Sequence, residues 1–197
     1  MPWPRIEQSL RLAHQGQNPH LLSPLSPESA RRAAVAVVLW GDDAGARKLV
    51  LVQRGFEAPH HPGEIAFPGG MEEKQDRDLP ATARRELWEE LGVRDGLWEL
   101  GCFPDGVAKA RTRFTPVFFR WDAPGPVFEI GHEILDVLLL PLEPLMTAPW
   151  TIQVFERQGL VFPVPRLELP EAPLWGATAF VLKAWLDILG QADGEPV

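Results

Sequence analysis

The chain has no tyrosine, one cysteine and fewer basic than acidic residues, and each scarcity narrows the functions open to it. Cys102 has no second thiol to pair with, so no internal disulfide can staple the fold. The N-terminal segment has neither the charged start nor the long apolar run of a signal peptide, and a reducing cytoplasm is the expected compartment. Cys102 lies in the strand-like run "LWELGCF", which reads as a buried, inert thiol rather than a nucleophile. No apolar run reaches the roughly eighteen residues of a membrane-spanning helix, so no membrane partner is expected. With 19 Lys and Arg against 27 Asp and Glu, the net charge of −8 disfavours nucleic acid and anionic membrane surfaces. A small polyanion remains open, because metal ions can bridge it to acidic side chains. The eight tryptophans form no functional pattern, and no internal repeat or low-complexity tract interrupts the chain.

What is present is enough apolar material for one core: 45% of 197 residues. Residues 1 to 30 read as an N-terminal arm carrying a short helix near Ile6 to His14, residues 31 to 190 as one folded domain, and residues 191 to 197 as a tail. The runs "AAVAVVLW" (33 to 40) and "KLVLVQ" (48 to 53) predict two strands joined by the turn "GDDAGAR". Further strands are expected at 97 to 103, 113 to 120, 134 to 140, 152 to 156 and 160 to 164. A last helix is expected from about 172 to 189, with Leu174, Thr178, Val181, Trp185 and Ile188 on one face. A mixed sheet between helices is the natural packing, an α/β fold.

The most specific stretch runs from Phe67 to Val93, "FPGGMEEKQDRDLPATARRELWEELGV". Asp78 reads as an N-cap, Pro80 suits the first turn and Gly92 the C-terminus, so residues 79 to 91 should be helical. Glu86, Glu89 and Glu90 stand at i, i+3 and i+4 and share one face, beside an apolar stripe of Leu79, Ala83, Leu87 and Leu91. Carboxylates this close repel one another. A hard divalent cation with oxygen ligands relieves that repulsion, and Mg²⁺ typically takes one or two carboxylates plus waters and substrate phosphates. His60, His61 and His132 have no cysteine or second histidine pair at ligand spacing, so zinc is not expected.

Gly70, Asp76, Arg85, Glu86, Leu87, Glu89, Glu90, Gly92 and Val93 occur in the order of one signature, and on them the chain resembles the Nudix hydrolases. Asp76 stands where the usual box has Glu, and the spacer from Asp76 to Arg85 is one residue longer. Both departures are shared by the coenzyme A pyrophosphatase-like subfamily. Upstream, Arg54, His61, Gly63, Phe67, Pro68, Gly69 and Gly70 keep that subfamily's spacing, although Val52 and Gly55 replace its usual Thr and Ser, and Pro59 stands where a second basic residue is common. "LWGATAFVLKAWLDILG" is similar to its last helix.

The resemblance implies an α/β/α Nudix sandwich hydrolysing a pyrophosphate with Mg²⁺ or Mn²⁺. It implies Glu86, Glu89 and Glu90 as metal ligands with the Gly70 carbonyl nearby, Arg85 as the residue that orients the glutamates, and Gly69 and Gly70 as the glycines that permit close backbone approach. Glu133, just before an apolar strand, falls where such enzymes often place a further ligand or general base. His61 falls in the substrate loop, and Arg54 at a strand end reads as a phosphate clamp. Lys109, Arg111 and Arg113 alternate in "KARTR", where they would meet an additional phosphate such as the 3′-phosphate of coenzyme A. Coenzyme A or its thioesters are therefore the expected substrates, with 3′,5′-ADP and a 4′-phosphopantetheine moiety as products. Dinucleoside polyphosphate hydrolases of the superfamily tend to use a downstream Tyr, absent here, and ADP-ribose hydrolases tend to carry a Pro where Ala108 and Lys109 stand. Another nucleoside diphosphate derivative such as ADP-ribose or NADH, a noncatalytic nucleotide-binding module and a homodimeric assembly stay open at this point.

Overall fold

Alternation along three central strands decides the architecture. In the computed structural model, which describes residues 1–15, 31–41, 46–108, 112–157 and 160–192, strands β1 (Arg31–Trp40), β2 (Lys48–Arg54) and β7 (Thr112–Trp121) run side by side in the sheet. Successive residues of a strand point to opposite faces. Ala33, Val37, Leu39, Leu49, Leu51, Phe114 and Phe118 enter one core cluster, and Ala34, Ala36, Val38, Val50, Val52, Val117 and Phe119 the other. Strands buried on both faces read as near-continuous apolar runs, which is why the sequence shows runs rather than alternation here.

Between these strands come β3 (Ile65–Ala66), β4 (Gly69–Met71), helix α2 (Leu79–Leu91), β5 (Leu97–Cys102) and β6 (Gly106–Ala108). Strand β8 (Ile134–Pro141) follows β7, and the sheet runs β3-β2-β1-β7-β5, with β4 on β1, β6 on β7 and β8 on β2. The β1–β7 pair is parallel and the others antiparallel. Helix α2 covers one face through Ala83, Leu87 and Leu91. The other face is covered by α1 (Trp3–Gln15), α3 (Leu142–Met146) and α4 (Gly176–Gln191). An α/β/α sandwich is therefore the fold, as the sequence predicts. Between α1 and α4 the buried Trp185 indole donates to Ser9 Oγ at 2.9 Å, and that hydroxyl donates to the Ile6 carbonyl, so the polar atoms enclosed there are satisfied.

Several elements differ from expectation. Strands β9 (Thr151–Arg157) and β10 (Leu160–Arg166) pair only with each other, as a separate two-stranded ribbon. Ile152, Val154, Val161 and Phe162 are exposed on it, so apolar β-propensity made the strands without placing them in the sheet. Helix α4 begins at Gly176, not near 172, because Leu174 is instead held in a backbone bridge with Leu167. Its buried side is Ala179, Val181, Leu182, Trp185, Leu186 and Leu189, while Thr178 and Ile188 are only half-buried. Helix α1 starts at Trp3, earlier than expected, and the short β3, β4, β6 and α3 lie in segments for which no element was expected. The "GDDAGAR" turn falls largely outside the described residues, as do residues 193–197 of the tail. Among the described residues no helix is long and apolar enough to cross a membrane.

Candidate active site

Helix α2 spans the predicted residues, and its ends explain why. Asp78 Oδ1 accepts the Ala81 amide at 2.8 Å, Pro80 occupies the first turn, and Gly92 closes the helix at φ 69° with its amide on Trp88 O. The apolar stripe seats α2 on the sheet, so Glu86 and Glu90 come to lie against the β4 glycines. Gly70 makes room for that approach, since a Cβ on it would overlap the Glu86 carboxylate, whereas Gly69 is required by the neighbouring β1 backbone: a Cβ on it would stand 2.7 Å from Val35 Cα. Gly69 N–H donates to Glu90 Oε2 at 3.1 Å.

Arg85 is the hub of the helix face. Its Nε donates to Asp76 Oδ1 (3.2 Å), Nη1 to Glu86 Oε1 (2.9 Å) and Glu89 Oε2 (3.0 Å), and Nη2 to Asp76 Oδ2 (3.1 Å) and Met71 O (2.8 Å). Burial alone would lower the Arg85 pKa, but Asp76 and Glu86 outweigh it and raise the value further. Asp76 in turn is held below the usual carboxylate range, first by its hydrogen bonds from Arg85, with help from the Glu73 amide and the Thr82 hydroxyl and against the effect of burial. Asp76 is matched in the signature, yet its role as the anchor of Arg85 was not read from the sequence; the signal was its place in the box.

Glu86 and Glu90 behave differently from Glu89. Burial pushes the Glu86 carboxyl up, with Arg85 opposing it. Burial pushes Glu90 up to about 7; the Gly69 amide and Arg54 hold it down, and the neighbouring Glu86 and Glu133 carboxylates add to the rise. Glu89 has a 48% exposed side chain and rests on Arg85. Among the described residues no group of three or more His, Cys, Asp or Glu side chains forms a complete metal cage. The partly buried Glu86 and Glu90 beside glycine backbone nonetheless make a hard oxygen donor set whose mutual repulsion a divalent cation would relieve. That suits Mg²⁺ or Mn²⁺, which complete their shells with water and phosphate.

A second group arrives from the sheet. Arg54 ends β2 on the α2 side, the direction already taken by Val50 and Val52. An irregularity in the β2–β8 register skips Leu135, pairing Gln53 with Asp136 and Arg54 with Ile134, so the residue before Ile134 meets Arg54. Arg54 Nη2 donates to Glu133 Oε2 at 2.7 Å, Nη1 stands 3.6 Å from Glu90 Oε1, and Nε donates to His60 O at 3.0 Å. The loop carrying Glu133 is tied to the end of α2 by Gly131 N–H on Glu90 O and Glu129 N–H on Leu91 O. Arg54, Glu90 and Glu133 are thus brought together.

The other expected residues, where they are described, make different contacts. His61 has φ 55° and its Nδ1 lies 2.8 Å from Glu64 Oε2, a contact within its own loop. Arg113 pairs with Asp105, which also accepts the Thr115 hydroxyl. Register sets Arg113 beside Arg32 of β1, whose guanidinium lies 3.3 Å from Glu72. Lys109 and Arg111 lie outside the described residues. Cys102 is partly buried, and burial raises its thiol pKa, as an inert cysteine requires.

Comparison with known proteins identifies the family and the fold. The family model described as NUDIX domain matches residues 30–158, and the chain belongs to that family. The peroxisomal coenzyme A diphosphatase ndx-8 of Caenorhabditis elegans is 32% identical over 123 residues, 60% of this chain and 52% of that protein. Nudix hydrolase 15, mitochondrial, of Arabidopsis thaliana is 38% identical over 80 residues, 39% of this chain and 28% of that protein. The chain therefore spans about half or less of the length of these curated relatives. Among solved structures, a MutT protein from Methanosarcina mazei Go1 has a TM-score of 0.53 at 14% identity, covering 86% of this chain and 100% of that one. A Nudix hydrolase from Nitrosomonas europaea has a TM-score of 0.53 at 18% identity, covering 87% and 77%. These likenesses establish the shared sandwich.

Proposed function

We propose that the chain hydrolyses the pyrophosphate of a nucleoside diphosphate derivative, with coenzyme A or its thioesters as substrate and 3′,5′-ADP and 4′-phosphopantetheine as products. The observation that carries the reading is the meeting of Glu86 and Glu90, the Gly69–Gly70 backbone, Arg54 and Glu133 at one end of the sheet. Glu86, Glu90 and the Gly70 carbonyl would hold Mg²⁺ or Mn²⁺, with Glu89 as a further ligand or a support on Arg85. The cation supplies charge neutralisation on the nonbridging phosphate oxygens. Arg54 clamps the pyrophosphate, and Glu133 takes a proton from the attacking water as its oxygen bonds to phosphorus. The bridging P–O bond breaks and leaves two phosphate monoesters. Arg85, locked by Asp76, holds the glutamates in place.

The finer substrate assignment is supported by the spacing from Arg54 to Gly70 and by the relative named as a coenzyme A diphosphatase. Arg113, with Lys109 or Arg111, receives the 3′-phosphate. A product-resolved assay of coenzyme A, ADP-ribose, NADH and dinucleoside polyphosphates with each metal tests the reading. Coenzyme A should be cleaved fastest, and 3′-dephospho-coenzyme A roughly ten- to a hundredfold less efficiently, the worth of one charge-assisted contact. Equal efficiencies would remove the 3′-phosphate contact; cleavage of none would remove the activity.

A further inference from the structure

Phe56 is the most exposed large aromatic among the described residues, at 72%, and it stands two residues beyond Arg54. A single exposed apolar side chain is ordinary on its own; what gives this one a role is its place on the loop that follows Arg54. The ring is nevertheless held in place. Its Cε1 and Cδ1 atoms lie 2.9 and 3.2 Å from where a Cβ on Gly63 would be, so only the bare glycine lets that side of the ring rest on the loop backbone.

The loop beneath it is built, not loose. Gly55 N–H donates to Glu133 O at 2.8 Å, Ala58 N–H to Gly55 O at 3.1 Å, Gly63 N–H to Arg54 O at 3.1 Å, and Arg54 Nε to His60 O at 3.0 Å. These bonds tie Phe56 to the same Arg54 and Glu133 that converge on Glu90. Two residues of chain span at most ~7 Å, the scale of one ribose, so the Arg54 and Phe56 Cα atoms lie within the length of a single nucleotide.

We infer that Phe56 is the stacking platform for the heteroaromatic base of the substrate and so a determinant of specificity for nucleoside diphosphates over other pyrophosphate esters. The inference rests on the hydrolase reading of the site but names a contact that reading does not need. A planar base matches the open ring, which has few rotamers to lose on stacking.

Equilibrium binding in Mg²⁺ separates the two ideas without requiring turnover. The ligands are AMP, ribose 5-phosphate, which keeps the phosphate and sugar but lacks the base, and 4′-phosphopantetheine. Wild type should prefer AMP to ribose 5-phosphate, Phe56→Leu should cut that preference about 5- to 100-fold, and Phe56→Trp should keep it. Trp98→Leu, at an exposed aromatic on the far strand β5, should leave it unchanged and controls for nonspecific surface effects. No base preference in wild type, an undiminished preference in Phe56→Leu, or a loss confined to 4′-phosphopantetheine would each overturn the proposal. A base preference lost in Phe56→Leu, in a protein that hydrolyses no nucleoside diphosphate, would uphold this contact and reject the hydrolase reading.

Discussion

Glu90 is where the fold gives up stability to keep a charge, and that makes it testable without substrate. Its pKa stands near 7, above the ordinary 4.5, because burial disfavours the ionised carboxylate. Between those values the folded protein binds a proton that the unfolded chain has released. The stabilisation is therefore full below about pH 4.5 and lost as pH rises through about 7. Glu90→Gln, neutral at every pH, should stabilise the metal-free protein by about 1 to 3 kcal/mol at pH 8 and by almost nothing at pH 4.5. Urea unfolding in chelator at the two pH values checks this. The same substitution should abolish the thermal stabilisation that Mg²⁺ or Mn²⁺ gives wild type, since a cation that binds only the folded state raises its stability. A variant as pH-dependent as wild type would remove the electrostatic account of Glu90.

Helix α2 was legible because every feature that makes it is local: Asp78, Pro80, Gly92, the apolar stripe and the glutamate spacing lie within one segment. The β9–β10 ribbon was legible as strands but not as a separate sheet, since nothing local says which partner a strand takes. The start of α4 was missed because the Leu167–Leu174 bridge claims the segment before it. The Arg85 hub was half legible. Its glutamates follow from helical spacing, whereas Asp76 reaches it through the chain turn ahead of the helix. Asp76 has a 4% exposed side chain and bonds to Arg85, Thr82 and the Glu73 amide. Asp76→Asn would leave the Arg85 cation short of its buried partner, which should destabilise the fold by about 2 to 4 kcal/mol and lower turnover through the displaced glutamates. Denaturant unfolding and kinetics on the same variant check both effects; wild-type stability would mean that Arg85 is held by its other partners alone.

At the scale of the whole molecule, the sandwich exists to bring sequence-distant groups to one edge. Arg54 and Glu133, 79 positions apart, meet only because β2 and β8 are neighbours with one residue skipped in their register. Neither the pairing nor the skip is written in local propensity, so the sequence pointed to both residues without joining them. If Glu133 receives the proton of the attacking water, Glu133→Gln should lower kcat by about a hundredfold or more while KM moves little, a split that loss of a binding contact alone would not give.

The most direct test sets wild type beside Glu90→Gln at saturating Mg²⁺ with coenzyme A and resolves the products. Metal-dependent cleavage through Glu90 should give 3′,5′-ADP and 4′-phosphopantetheine from wild type and turnover at least about a hundredfold lower from the variant, with its fold intact. Wild-type turnover in Glu90→Gln, or no cleavage of coenzyme A by wild type, would contradict it.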